Sequence, residues 1–265
     1  MSTERDPHGQ VRTEQRGHLL LIGIDRPAKR NGFTPKMFNE LAAAYSLLEN
    51  THELRCGVLY AEGDHFTAGL DMPTVVPLRR EGKPLLPTSE VDPFNLRPPL
   101  RTKPVVAAMK GICFTVAIEL MLAADVVIAA ENCRFSQLEV KRGIMAGCGA
   151  TFRMPERAGW GNAMKYLLTG DEFDAREAMR MDFVQEVVPV GQELPRALEL
   201  AEKICRQAPL AVQATMENAR VARTHGWQAA YLQIAATQKF LYNSEDSKEG
   251  VQSFLEKRDA RFTGR

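Results

Sequence analysis

The 265-residue sequence predicts an α/β fold, on three observations. Short apolar runs of strand length alternate with longer runs in which apolar residues recur at helical period. Turn residues, chiefly Gly, Pro and Asp, stand between the runs. With 45% hydrophobic residues, the chain can bury a core without disulfides or a structural metal. At this length one domain with a helical appendage is expected. The boundaries read as a polar N-terminal extension over 1–17, an α/β core over 18–193 and a C-terminal helical region over 194–265.

The elements follow in order. His18 to Asp25 is an apolar run that predicts a buried strand. Thr34-Pro35 then opens a helix, with Thr as cap and Pro at the first helical position. Met37, Phe38, Leu41, Ala44, Tyr45 and Leu48 give that helix a 3.6-residue period. Cys56 to Ala61 predicts a second strand, followed by the loop Glu62 to Asp71. The segment Pro73 to Pro99 holds seven of the fifteen prolines and predicts a long irregular loop, either a lid or a surface loop. Val105 to Met109 is a third strand, which Gly111 ends; an apolar helix then runs to about Ala124. Asp125 to Ala130 and Arg134 to Leu138 are a fourth and a short fifth strand. From Trp160 the pattern is nearly all helical, with one short strand at Phe183 to Val190. Helices over 194–207, 210–224 and 227–242 form a C-terminal layer. This order suggests repeated ββα or βα turns.

Composition excludes several function classes. Lys and Arg total 34 against 33 Asp and Glu, so no basic field exists to hold nucleic acid or an anionic membrane. The stretch 105–130 is the most apolar, but Lys110, Glu119 and Asp125 interrupt it, so it reads as core and not as a membrane span. Residues 1–17 have no hydrophobic signal core and carry acids that transit peptides avoid; a cytoplasmic location is expected. The five cysteines are odd in number and form no CxxC. They read as small buried hydrophobes in a reducing compartment. No metal-ligand spacing is present, and the five histidines are scattered.

Two acids stand out. Glu119 lies in Thr115-Val-Ala-Ile-Glu-Leu-Met-Leu-Ala-Ala124, where apolar residues occupy every helical offset. No polar face can receive it, so it should be buried and therefore paired, hydrogen-bonded or neutral. Glu139 follows twenty positions later and would be an ordinary surface acid but for Gly143, Gly147 and Gly149 downstream. That spacing lets backbone approach a ligand closely. Two turns, one at Ala68-Gly69 and one opened by Gly111, could each offer a free N–H to an anion or a polarised carbonyl oxygen.

Together these residues resemble the enoyl-CoA hydratase/isomerase (crotonase) superfamily. The matching pieces are Arg26-Pro-Ala-Lys-Arg-Asn31, His65 to Asp71, Lys103 to Gly111, Glu119 to Asp125, Phe135 to Glu139, Leu168-Thr-Gly170 and Glu249 to Arg258. The resemblance implies a crotonase-like spiral of ββα units, a C-terminal helical trimerisation layer, and a homotrimer or dimer of trimers. It implies an acyl-CoA substrate, with coenzyme A present only as part of that substrate and no separate cofactor. The amides of Leu70 and Val116 would bind the thioester oxygen, and Glu119 and Glu139 would hold and activate water. Gly147 would place an amide near that water. Arg26, Lys29, Arg30, Ala68, Gly69, Asp71, Met72, Gly111, Phe254 and Lys257 would contribute to substrate or coenzyme binding.

The sequence departs from the family in two places. Thr115-Val116-Ala117 replaces a run of glycines before the first acid, which puts β-branched side chains at the oxyanion turn. Pro73-Thr74 stands where many relatives carry a basic residue. The leading expectation is hydration of a 2-trans-enoyl-CoA to a 3-hydroxyacyl-CoA. Double-bond isomerisation by the same oxyanion chemistry, and a non-catalytic scaffold or binding role, are the alternatives. Retention of both acids favours hydration.

Overall fold

The computed structural model describes residues 6–265. The described strands are β1 (Gln10–Arg16), β2 (Leu19–Asp25), β3 (Cys56–Ala61), β4 (Val105–Met109) and β5 (Ile112–Phe114). They continue with β6 (Val126–Ala130), β7 (Arg134–Ser136), β8 (Phe173–Asp174) and β9 (Glu186–Val188). The helices of the core are α1 (Pro35–Asn50), α2 (Met72–Arg80), α3 (Val116–Ala123), α4 (Ala150–Ala158), α5 (Trp160–Thr169) and α6 (Ala175–Arg180). The C-terminal layer holds α7 (Glu193–Cys205), α8 (Pro209–His225), α9 (Trp227–Tyr242) and α10 (Glu245–Glu256). Single 3-10 turns lie at Pro27–Lys29 and Glu139–Arg142.

A six-stranded sheet runs β1-β2-β3-β4-β6-β9, parallel throughout except for β1, which pairs antiparallel with β2. A three-stranded sheet runs β5-β7-β8. The chain visits the two in alternation: β4 lies in the large sheet and β5 in the small one, then β6 in the large and β7 in the small. That alternation is the ββα spiral the resemblance implied. The central strands are buried along their whole length, as a parallel sheet covered on both faces requires. One core cluster packs α1, α3 and α4 on one face of the large sheet; a second packs α7 on the other through Ala197, Ala201 and Cys205.

Four expectations need correction. Residues 10–16 are not an extension outside the core but the edge strand β1. Its polar, mostly exposed side chains suit an edge, where charge discourages pairing with other chains. The segment 73–99 is not irregular throughout, because α2 occupies its start. Pro73 is accommodated in the first turn, where its missing N–H costs no bond. The strand expected over 183–190 is confined to Glu186–Val188, and the fifth strand stops at Ser136. The α1 cap is as expected: Thr34 Oγ1 accepts from Met37 N–H at 3.3 Å and donates to the His8 carbonyl. Cys56, Cys113, Cys133 and Cys205 are buried, Cys148 is partly buried, and all five are free. Among the described residues no helix is long and apolar enough to cross a membrane.

One buried cation ties the site-bearing helix to the large sheet. Arg101 is 1% exposed. Its guanidinium donates to the Lys103 carbonyl at 2.8 Å, to Asp125 Oδ2 at 2.6 Å and to the Ala123 carbonyl at 2.5 Å. Asp125 in turn accepts from Val105 N–H at 2.8 Å. The start of β4 and the end of α3 are thus fastened to one group. Arg101→Met should lower the unfolding free energy by about 3–5 kcal/mol, because it leaves Asp125 and two carbonyls short of a donor. Urea unfolding measures this; a loss below about 1 kcal/mol would show that the anchor is dispensable.

Candidate active site

Glu119 sits in the middle of α3, every residue of which is buried. It is itself 4% exposed. Its Oε1 accepts from Cys148 N–H at 2.5 Å and, more weakly, from Ala150 N–H at 3.4 Å. Both donors come from the loop leading into α4, so the carboxyl joins α3 to that loop. Burial raises its pKa to about 7; the Cys148 amide opposes the rise, and the charge of Glu139 adds to it. Glu139 therefore lies close enough to act on Glu119 electrostatically. Glu139 opens the 3-10 turn after β7 and is partly buried. Its Oε1 accepts from Gln137 Nε2 at 3.0 Å, while its Oε2 is buried with no partner among the described residues. Burial raises its pKa as well. Two acids with raised pKa values, one having an unspent buried oxygen, are what proton transfer near neutrality calls for.

The two amides expected to hold the oxyanion are both open. Leu70 pairs with Phe33 in an isolated parallel bridge. Phe33 N–H donates to the Gly69 carbonyl, and Asp71 N–H donates to the Phe33 carbonyl, each at 2.9 Å. A parallel bridge uses the groups flanking Leu70, which turns the N–H of Leu70 itself toward the other side. That amide has no acceptor among the described residues. Val116 is the first residue of α3, one of the positions whose N–H has no partner within a helix, and it too donates to nothing described. A second parallel bridge, Thr67 to Cys113, sets the two segments in register, so Leu70 and Val116 each lie three residues beyond it. Val116 is also one helical turn before Glu119, on the same face.

The loop 65–71 is held from below by Asn31, which is fully buried. Its amide nitrogen donates to the carbonyls of Glu62 and His65, both at 2.8 Å, and its oxygen accepts from Arg26 N–H. With φ at +55, Asn is one of the few residues comfortable in this conformation. Ala68 N–H donates to the Arg30 carbonyl, and Gly69 N–H donates to Thr67 Oγ1. Gly69 has φ +107, and a side chain there would strike Thr115 Oγ1. Thr115 adopts φ +52 and ψ −108, a region nearly reserved for glycine; for a β-branched residue the strain is on the order of 1–3 kcal/mol.

The remaining expected residues fall into three groups. Gly147 is exposed and its amide donates to nothing described, so it faces the opening beside the Glu119–Cys148 bond. Lys29 and Arg30 are exposed next to loop 65–71. Met72 is 38% exposed at the start of α2. Arg26 and Asp71, by contrast, are spent on each other: Arg26 donates to Asp71 at 2.5 Å and to the Gly32 carbonyl at 3.0 Å. Burial would raise the Asp71 pKa, but the Arg26 hydrogen bond and charge outweigh it and lower it. The two act as a strut between the loop and the Arg26 turn. Gly111 does not supply the second open N–H, since its amide donates to Asn132 Oδ1 at 3.3 Å. Its φ of +53 and close approach to Asp64 make it a joint, and the open amide, that of Val116, comes five residues later. Phe254 and Lys257 lie on and just after α10, which packs against α9. No hydrogen bond or ion pair among the described residues ties them to the glutamates of the same chain. Sequence reasoning missed the Cys148 and Ala150 amides and the Gln137 side chain as partners of the acids; backbone donors carry no signal in residue type.

Known proteins match this chain over nearly its whole length. The family model described as Enoyl-CoA hydratase/isomerase matches residues 14–265. A 2,3-dehydroadipyl-CoA hydratase of Escherichia coli is 32% identical over 252 residues, covering 93% of this chain and 96% of that protein. The crystal structure of a probable enoyl-CoA hydratase/isomerase from Mycobacterium abscessus has a TM-score of 0.93 and 47% identity, covering 96% of this chain and 98% of the other. An enoyl-CoA hydratase structure from Mycobacterium tuberculosis has a TM-score of 0.87 and 35% identity, covering 98% and 100%. With a matching family model over nearly its whole length and this fold, the chain belongs to the enoyl-CoA hydratase/isomerase family.

Proposed function

We propose that the protein adds water across the double bond of a 2-trans-enoyl-CoA, giving a 3-hydroxyacyl-CoA. The observation that carries this reading is the pairing of two raised-pKa acids with two open amides on the same helix face and loop. Water oxygen forms a bond to C3, and the C2–C3 electron pair moves toward the thioester oxygen. Leu70 and Val116 N–H groups hold the negative charge that develops there. One carboxylate accepts the water proton, and the other glutamate, as the acid, delivers a proton to C2. The charge of Glu139 adds to the effect of burial on Glu119, which makes Glu119 the acid suited to hold a proton near neutral pH. Isomerisation needs a single proton shuttle, so two acids fit hydration better. Relatives named as hydratases support the same reading. The thioester belongs to coenzyme A as part of the substrate, with the exposed Lys29 and Arg30 placed to meet its phosphates.

An assembly of three chains, or two such trimers, is part of this reading. The C-terminal layer exposes Trp227, Tyr231, Leu232, Phe240 and Phe254, the last 81% exposed. Several large apolar side chains exposed on one helical layer favour an association face there. Trimerisation would also let Phe254 and Lys257 approach a neighbouring chain's substrate. Light scattering at micromolar concentration should give three or six times the 29.5 kDa chain mass; a stable monomer would refute the assembly.

Turnover of a short enoyl-CoA, followed by loss of the conjugated thioester absorbance, tests the function. Glu119→Gln and Glu139→Gln should each lower kcat by about 10²–10⁴ without loss of coenzyme A binding. Val116→Pro should lower it by about 10²–10³ through loss of one oxyanion donor, whereas Val116→Ala keeps the amide and the activity. Because proline also disfavours the positive-φ backbone of Thr115 before it, circular dichroism and retained coenzyme A binding must accompany the loss for it to be assigned to the donor. Near-wild-type turnover by either glutamine variant would rule out the two-acid mechanism.

A further inference from the structure

Gln137 is 2% exposed and satisfies only half of its amide. Its Nε2 donates to Glu139 Oε1 at 3.0 Å, while its own Oε1 is buried with no partner among the described residues. A glutamine amide can offer a neighbour either N–H or C=O. Here it gives the N–H to the acid and leaves its acceptor empty. An ionised carboxylate selects that orientation, because it can only accept.

The donor stands on a fixed support. Gln137 directly follows β7, and the Ser136 hydroxyl before it donates to the Gly170 carbonyl at 2.8 Å. The Ser136 carbonyl accepts from Thr115 N–H at 2.8 Å, which fastens the end of β7 to the start of α3. The segment carrying Gln137 and Glu139 is thereby held against the helix carrying Glu119.

No cation does this work in place of Gln137. The charged groups around Glu139 are Glu119 from α3, Lys141 and Arg142 on its own turn, and Lys165 and Asp171 from α5 and the segment after it. Lys141 pairs with Asp171 at 3.8 Å, Arg142 donates to the Lys141 carbonyl, and Lys165 donates to the Tyr166 hydroxyl. None of them forms an ion pair with Glu139 among the described residues. Burial pushes the Glu139 pKa up, and the Gln137 side chain pulls against it. Glu119 feels burial more strongly and the charge of Glu139 besides.

We infer that Gln137 is a positioning residue that holds Glu139 ionised beside a protonated Glu119. The inference rests on the two-acid reading of the site, which needs one glutamate of each kind at the same pH. A donor to the charged form favours that form, so removing it makes Glu139 easier to protonate.

The test uses Gln137→Met, which keeps length and bulk but offers no donor, and Gln137→Leu, which lacks the donor in a different shape. The acid limb of kcat/KM for crotonyl-CoA hydration should move to higher pH in both. Activity relative to wild type should fall about tenfold at pH 6 and stay within about threefold at pH 8. A merely structural role would lower both equally. The second readout does not depend on turnover: the infrared carboxyl band of Glu139 in Glu119→Gln protein, where its titration is free of coupling to the other acid. Its midpoint should rise when Gln137→Met is added. An unmoved midpoint with a loss of activity uniform in pH would overturn the inference, and leave the hydration reading standing. So would a shift in one of the two variants alone, which would assign the effect to packing. If wild type fails to hydrate crotonyl-CoA but the midpoint still rises, the role of Gln137 stands and the hydration reading falls.

Discussion

Glu119 lies on a helix that has no polar face, and its carboxyl has to be met by groups from elsewhere in the chain. The Cys148 amide does this, with Ala150 as a weaker second. Much of the site follows from that contact. It draws the loop before α4 against α3 and leaves the Gly147 amide at its margin. It also keeps one carboxyl largely out of water, which is the cause of the raised pKa. Were Glu119 solvated, the carboxyl would be an ordinary acid and the pair would carry no shared proton. Burial without the amide would cost more than a small domain can spare.

The open amides at Leu70 and Val116 depend on a different constraint, the parallel register between two loops. Bridges Phe33 to Leu70 and Thr67 to Cys113 fix the first loop against β5 and against the turn that precedes α1. Parallel pairing consumes alternate backbone groups and leaves the rest pointing away, so an open amide at Leu70 is a result of the pairing itself. The second open amide arises just as simply, from the first turn of a helix. Neither donor depends on its side chain, which is why valine can stand at position 116. Side-chain identity matters beneath them, at Asn31 and Gly69, where backbone conformation and close packing admit few residues.

This division explains how much was legible in the sequence. The buried strands β2, β3 and β4 and helix α1 show in apolar runs and period, because burial is written in residue type. Glu119 shows for the same reason, as a charge where none belongs. Strand β1 is an edge strand with a polar exterior, so hydropathy marks it as tail. Helix α2 hides behind Pro73 and Pro77, one of which suits a first turn while the other lies inside the helix. The partner of the Gly111 amide, Asn132 twenty-one residues away, was not legible. Long-range backbone contacts of this sort leave no local trace. Arg26 and Asp71 look like ligand-binding charges in sequence and turn out to satisfy each other.

Burial beside Glu139 gives Glu119 a pKa near neutrality. Its protonation can be followed directly by the carboxyl infrared band, taken as the difference between wild type and Glu119→Gln across a pH titration. The account predicts a midpoint at about 7, moving down when Glu139→Gln removes the neighbouring charge. The stability linkage has a matching sign. A folded pKa above the unfolded 4.5 means the native state retains a proton that the unfolded state has released, so this contribution is complete below pH 4.5 and is lost as pH rises through about 7. A midpoint near 4.5, unmoved by Glu139→Gln, would contradict the account.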